Sequence, residues 1–127
     1  SSPQKGFDHC MVLAEGADVG SSDGSSSRSV AFMGGRLNMA ASVRDPASQR
    51  QMQVYTSAPG VQFYTGNFLD NGTGVLPMTQ HAGFCLETQL FPDAINHADW
   101  RDSCILKPGE RYEVTTLHRF DRDFAFP

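Results

Sequence analysis

Period-two alternation of apolar and polar side chains, interrupted at short intervals by turn residues, most narrows the folds open to this 127-residue chain. Leu37, Met39, Ala41 and Val43 alternate with Arg36, Asn38, Ala40, Ser42 and Arg44, the spacing that sends successive side chains to opposite faces of a β-strand. By the same rule Met52, Val54 and Thr56 share one face, and Tyr112, Val114, Thr116, His118 and Phe120 share another. Asp45-Pro46-Ala47-Ser48, Ala58-Pro59-Gly60, Asp70-Asn71-Gly72 and Lys107-Pro108-Gly109 divide the runs, and each supplies a residue that fixes φ or tolerates a positive one. Strands so spaced point to an all-β sandwich or barrel.

Two further short strands are expected over 10–14 and 30–33, separated by a Ser/Gly-rich stretch at about 16–29. That stretch carries too little apolar surface to order itself and reads as a flexible loop within one domain. Pro92-Asp93-Ala94-Ile95-Asn96 predicts a single helical turn, with proline at its start. The sequence has no internal repeat.

Charged residues make up only 19% of the chain and the net charge is −4, so no basic footprint supports nucleic acid as a partner. No apolar run approaches the roughly 20 residues of a membrane span, which argues against a membrane partner. Cys10, Cys85 and Cys104 are odd in number and set in apolar sequence. They read as buried free thiols of a reducing compartment, hence a cytoplasmic expectation, rather than as a disulfide framework. Asn71-Gly72-Thr73 has the form of a glycosylation acceptor, but Asn-Gly is equally a hairpin-turn dipeptide. His81 and Cys85 form a close pair of soft ligands but no Cys-x-x-Cys occurs, so no metal is expected. No phosphate-cradling glycine loop followed by lysine is present.

One residue conflicts with its surroundings. The expected strand Phe84-Cys85-Leu86-Glu87 places a carboxylate among apolar neighbours, where an unpaired charge costs several kcal/mol, on the order of 2–7 for a polar group and more for an ion. Such a conflict marks either a functional site or a glutamate on the solvent face of an edge strand.

The segments around it carry a resemblance. Pro59-Gly60-Val61-Gln62-Phe63-Tyr64-Thr65-Gly66-Asn67-Phe68-Leu69-Asp70, then Gly83-Phe84-Cys85-Leu86-Glu87-Thr88-Gln89, then Pro92-Asp93-Ala94-Ile95-Asn96, resemble in order and spacing the C-terminal half of the aldose 1-epimerase (galactose mutarotase) family. Gly6-Phe7-Asp8-His9 near the start and Lys107-Pro108-Gly109-Glu110-Arg111-Tyr112 near the end extend the match. The resemblance implies that residues 1–127 form the C-terminal portion of one mutarotase-like antiparallel β-sandwich domain. Family members are more than twice this long, and a chain opening on Ser1-Ser2-Pro3 without an initiator Met fits a fragment, a processed product or a piece of a longer protein.

The implied activity is interconversion of the α and β anomers of free hexoses such as galactose and glucose, with no cofactor. Glu87 corresponds to the family's general base, and apolar flanks would raise its pKa toward neutrality. Asp8 and Gln62 correspond to its sugar-binding aspartate and glutamine; read from the residues alone, Asp8 is a turn residue and Gln62 a solvent-facing one. The family's acid histidine belongs to a first-half segment with no counterpart among His9, His81, His97 and His118. The acid is therefore expected from outside this chain, in the N-terminal half of the fold, on the same polypeptide or a separate chain. A non-catalytic sugar-binding or scaffold module of the same fold is the rival reading. A phosphosugar epimerase would need basic residues near the motif strands, and those strands have none.

Overall fold

The computed structural model describes residues 6–13, 29–69 and 78–121. The expected Ser/Gly loop up to residue 28 and Asn71-Gly72-Thr73 lie outside them. Seven strands run in chain order: β1 (Asp8–Val12), β2 (Ser29–Phe32), β3 (Gly35–Arg44), β4 (Gln51–Thr56), β5 (Gly60–Tyr64), β6 (Cys85–Gln89) and β7 (Thr116–Asp121). They form a three-stranded sheet in the order β1-β5-β6 and a four-stranded sheet in the order β2-β3-β4-β7. Every pairing is antiparallel, giving the all-β architecture expected from the alternation and consistent with the antiparallel sandwich that the resemblance implies.

The turns sit where the sequence placed them, apart from Asp70-Asn71-Gly72, which lies outside the described residues. Asp45-Pro46-Ala47-Ser48 lies between β3 and β4, and Ser57-Ala58-Pro59 carries the chain from the four-stranded sheet into the three-stranded one. That corner is where the sheets are fastened. Thr56 is fully buried; its hydroxyl meets the Thr115 carbonyl oxygen at 3.1 Å and accepts from the Ala58 N–H at 3.0 Å. Thr115 N–H donates to Ser57 Oγ at 3.0 Å, and the hydroxyls of Thr88 on β6 and Thr116 on β7 meet at 2.7 Å. The buried apolar residues Leu37, Val54, Tyr55, Ala58 and Val61 surround this junction from both sheets.

Several expectations need correction. In β4, which lies between β3 and β7, Gln51, Gln53 and Tyr55 are buried as well as Val54 and Thr56, so both of its faces are covered; Tyr55 donates its hydroxyl to Gln53 Oε1 at 3.1 Å. Strict alternation in β3 breaks at an irregularity between Met39 and Ala41, where one extra residue shifts the pleat. β7 begins at Thr116, so Tyr112 and Val114 precede it, and His118 and Phe120 are exposed on an edge strand. β1 starts at Asp8, two residues earlier than expected, since it pairs with β5 up to Tyr64. The helical turn is a 3-10 turn over Ala94–Asn96, entered through Asp93 in the left-handed conformation, and a second one spans Arg101–Cys104. All three cysteines are free, but Cys85 is exposed and Cys10 and Cys104 are half-buried.

Candidate functional site

The three-stranded sheet brings the three candidate residues together. In its register Gln62 on β5 pairs with Cys10 of β1 on one side and with Glu87 of β6 on the other, while Asp8 pairs with Tyr64, which pairs with Cys85. Directly paired residues share a face, as do residues two apart along a strand. Asp8, Cys10, Tyr64, Gln62, Cys85 and Glu87 therefore project from one side of the sheet. His9, Phe63 and Leu86 project from the other, where the Phe63 ring stacks with Phe7 at 5.3 Å and meets Phe84 edge-on at 6.2 Å.

The backbone sets how close these neighbours come. Leu13 N–H donates to the Pro59 carbonyl and Thr65 N–H to the Phe7 carbonyl, so the odd-numbered residues of β1 form the hydrogen-bonded pairs with β5. Asp8–Tyr64 and Cys10–Gln62 are then the narrow, non-hydrogen-bonded pairs, with Cα atoms about 4.5 Å apart in such ladders. Gln62 Nε2 reaches diagonally to Asp8 Oδ1 at 2.6 Å, a charge-assisted bond. This contact assigns the amide orientation, since the reverse would set oxygen against oxygen. The other end of the amide, Gln62 Oε1, is buried without a hydrogen-bond partner among the described residues. A buried acceptor left in that state costs about 1–3 kcal/mol and calls for a donor.

Glu87 is exposed. The expectation that Phe84 and Leu86 enclose it is corrected: β6 begins only at Cys85, and Leu86 points to the opposite face. The carboxylate is open to solvent beside Gln62, accessible to a ligand lying over the sheet. Cys10, on the same face, has its thiol pushed up by burial. Tyr64 is pinned there by its hydroxyl, which accepts from the Phe68 N–H at 3.0 Å.

The histidines are elsewhere. His9 faces away from Asp8, although its Nδ1 accepts from the Asp8 N–H at 3.1 Å. The His81 ring Nδ1 lies 2.7 Å from the Thr65 carbonyl oxygen. His97 pairs with Asp93 at 3.7 Å and packs at a tilt against Trp100, and His118 stacks on Phe120. A cleft of about 730 Å³ lies between Leu90, Cys104, Leu106 and Tyr112, and none of Asp8, Gln62 and Glu87 lines it. Volume without convergent polar groups is weaker support for a site than the shared face.

Asn67 lies in the motif loop that follows β5. It is 3% exposed, and the chain reaches it through Gly66 at φ 63°, where an added Cβ would stand 2.6 Å from the Gly83 carbonyl oxygen. Its environment is made by the start of β1, sixty residues away, which no local pattern shows.

Fold and face together define an all-antiparallel β-protein with a carboxylate, an amide and a second carboxylate on three adjacent strands. The model of the aldose 1-epimerase family matches residues 1–119, and the chain belongs to that family. Galactose mutarotase of Rattus norvegicus is 49% identical over 118 residues, covering 91% of this chain and 29% of that protein. Galactose mutarotase of Homo sapiens is 49% identical over 83 residues, 63% of this chain and 24% of that protein. Aldose 1-epimerase of Escherichia coli (strain K12) is 36% identical over 120 residues, 91% of this chain and 30% of that protein. The chain thus spans under a third of the length of these relatives.

Proposed function

We propose that this chain supplies the base and part of the sugar-binding face of an aldose 1-epimerase that interconverts the α and β anomers of free hexoses such as galactose and glucose. The observation that carries the reading is the shared face: Glu87 and Cys10 flank Gln62 in register, and Gln62 holds Asp8 at 2.6 Å, in a chain of this family.

Ring opening takes the proton from the C1 hydroxyl and delivers one to the ring oxygen as the C1–O bond breaks. The open aldehyde turns about C1–C2 and recloses on its other face, returning both protons. Glu87 is the base, and its exposure leaves the carboxylate free to meet the C1 hydroxyl. Asp8 accepts hydrogen bonds from ring hydroxyls, and Gln62, one of whose two amide hydrogens goes to Asp8, keeps the other N–H for a sugar hydroxyl. The acid histidine comes from outside this chain, from the N-terminal half of the same fold, and no cofactor takes part.

The test is Glu87→Gln in the complete protein, followed by the optical rotation of freshly dissolved α-glucose. Turnover is expected to fall by about 10² to 10⁴, the usual contribution of a positioned proton-transfer group. Unchanged turnover would remove Glu87 from the mechanism and favour a scaffold. The 127 residues alone are expected to leave the rate at its uncatalysed value; acceleration comparable to the complete enzyme would show that no external acid is required.

A further inference from the structure

We propose that Asn67 is a positioning residue for sugar binding: it fixes the backbone just before Asp8 so that the Asp8 carboxylate stays against Gln62. The proposal rests on the reading of Asp8 and Gln62 as sugar-binding residues.

Asp8 is located by the residue pairs that flank it. Its pair with Tyr64 has no backbone hydrogen bond across β1 and β5, so its place is set by the pair before it, Phe7–Thr65, and the one after it, His9–Phe63. In the Phe7–Thr65 pair the usual exchange is altered. Thr65 N–H donates to the Phe7 carbonyl at 3.1 Å, but the Thr65 carbonyl faces the His81 ring nitrogen at 2.7 Å. The Phe7 N–H donates instead to the Thr65 hydroxyl at 2.8 Å.

A side chain therefore completes the ladder beside Asp8, and Asn67 sets that side chain. Asn67 Oδ1 accepts from the Thr65 hydroxyl at 2.8 Å, and Asn67 Nδ2 donates to the Phe7 carbonyl at 3.0 Å. The Phe7 carbonyl then accepts from Thr65 N–H and from Asn67 Nδ2, and the Thr65 hydroxyl lies 3.3 Å from it as well. The Asn67 backbone carbonyl is itself held by Gln80 Nε2 at 2.8 Å. The fit is close enough to dictate the sequence upstream: a Cβ on Gly6 would stand 2.2 Å from both Asn67 Oδ1 and Thr65 Oγ1, so only glycine brings the chain into this pocket. Without Asn67 the Thr65 hydroxyl keeps only its longer contact to the Phe7 carbonyl at 3.3 Å, that carbonyl loses the Nδ2 donor, and the Phe7–Thr65 pair that locates Asp8 loosens, giving Asp8 freedom to slide from Gln62.

A double-mutant cycle in the complete protein tests this, with D-galactose as the probe and KM and kcat measured separately for Asn67→Ala, Asp8→Asn and the pair. Asn67→Ala is expected to raise KM about tenfold with kcat within about twofold, and to change KM by less than about twofold once Asp8→Asn is present, because residues acting through one another are not additive. Thr65→Val removes the hydroxyl while keeping the side-chain shape; it should reproduce the KM rise and carries the test if Asn67→Ala does not fold. Independent, multiplying effects of Asn67→Ala and Asp8→Asn, or a lowered melting temperature with unchanged KM, would overturn the positioning role. Failure of the sugar reading looks different: Asp8→Asn alone would then leave the galactose KM unchanged.

Discussion

Gln62 stands opposite Glu87 in the β5–β6 ladder and, through its side-chain amide, holds Asp8 of β1 at 2.6 Å. One residue on the central strand thus sets the spacing between the carboxylate proposed to move the proton and the one proposed to hold the sugar. Strand register is rigid on the scale of a hydrogen bond, which loops of the same length would not be.

Asp8→Asn should separate binding from chemistry. The substitution replaces a charge-assisted acceptor with a neutral amide, a change worth about 1.5–3 kcal/mol for a fully formed bond and less at an exposed position. In the complete protein the expected result is a KM for galactose raised about tenfold with kcat little changed. Equal losses in kcat and kcat/KM would instead place Asp8 in the transition state alone.

The exposed thiol of Cys85 reports on the same face. It pairs with Tyr64, lies two residues before Glu87, and is free, whereas Cys10 is half-buried with its thiol pKa raised by burial. Iodoacetamide should therefore label Cys85 ahead of Cys10, as thiolate fraction and access dictate. Saturating galactose should slow labelling of Cys85 and leave Cys104 unaffected; peptide mass spectrometry at timed points checks both. Labelling of Cys85 unchanged by galactose would mean that sugar does not lie over this part of the sheet.

Val54 measures the core at the strand covered on both faces. It is fully buried, so Val54→Ala removes about two methylene equivalents and leaves a cavity. A destabilisation of about 2–3 kcal/mol is expected from the transfer and cavity contributions together. Urea unfolding of wild type and variant gives the value directly.

The β3–β4 turn should show in the acid limb of stability. The Ser48 hydroxyl, followed by the Ala47 N–H, holds the Asp45 carboxyl below its ordinary pKa of 3.8. A folded pKa below the unfolded one means that the ionised turn favours the folded state above the ordinary carboxylate range. That contribution is lost as pH falls through the depressed value. Asp45→Asn should therefore give a melting temperature that declines less steeply than wild type at the acid end, with the two curves approaching one another at the lowest pH. Parallel curves would show that the turn's hydrogen bonds do not distinguish the folded state.

Much of the fold was legible because its signals are local. The alternation from Leu37 to Val43 and the turns at Pro46 and Pro59 lie within a few residues of the strands they define, and β3 and β4 fall where they predict. The site motif was legible as chemistry too, since Glu87 stands out from its neighbours whatever the fold. Its enclosure was not: the apolar flank Leu86 faces away from it, and Phe84 precedes the strand. Likewise Thr116 opens β7 while Tyr112 and Val114, which continue the same alternation, lie outside it.

Sequence alone determined the all-β class, the turns and the residue types available for acid–base and hydroxyl-binding chemistry, because backbone preference and side-chain periodicity act over neighbouring residues. Only the tertiary structure decided that Asp8, Gln62 and Glu87 share one face, that β4 is buried on both sides, and that Asn67 reaches back to Phe7. Those facts depend on which strands lie side by side and in what register, and hydrogen bonds between residues 54 and 60 positions apart leave no mark on the pattern near either partner.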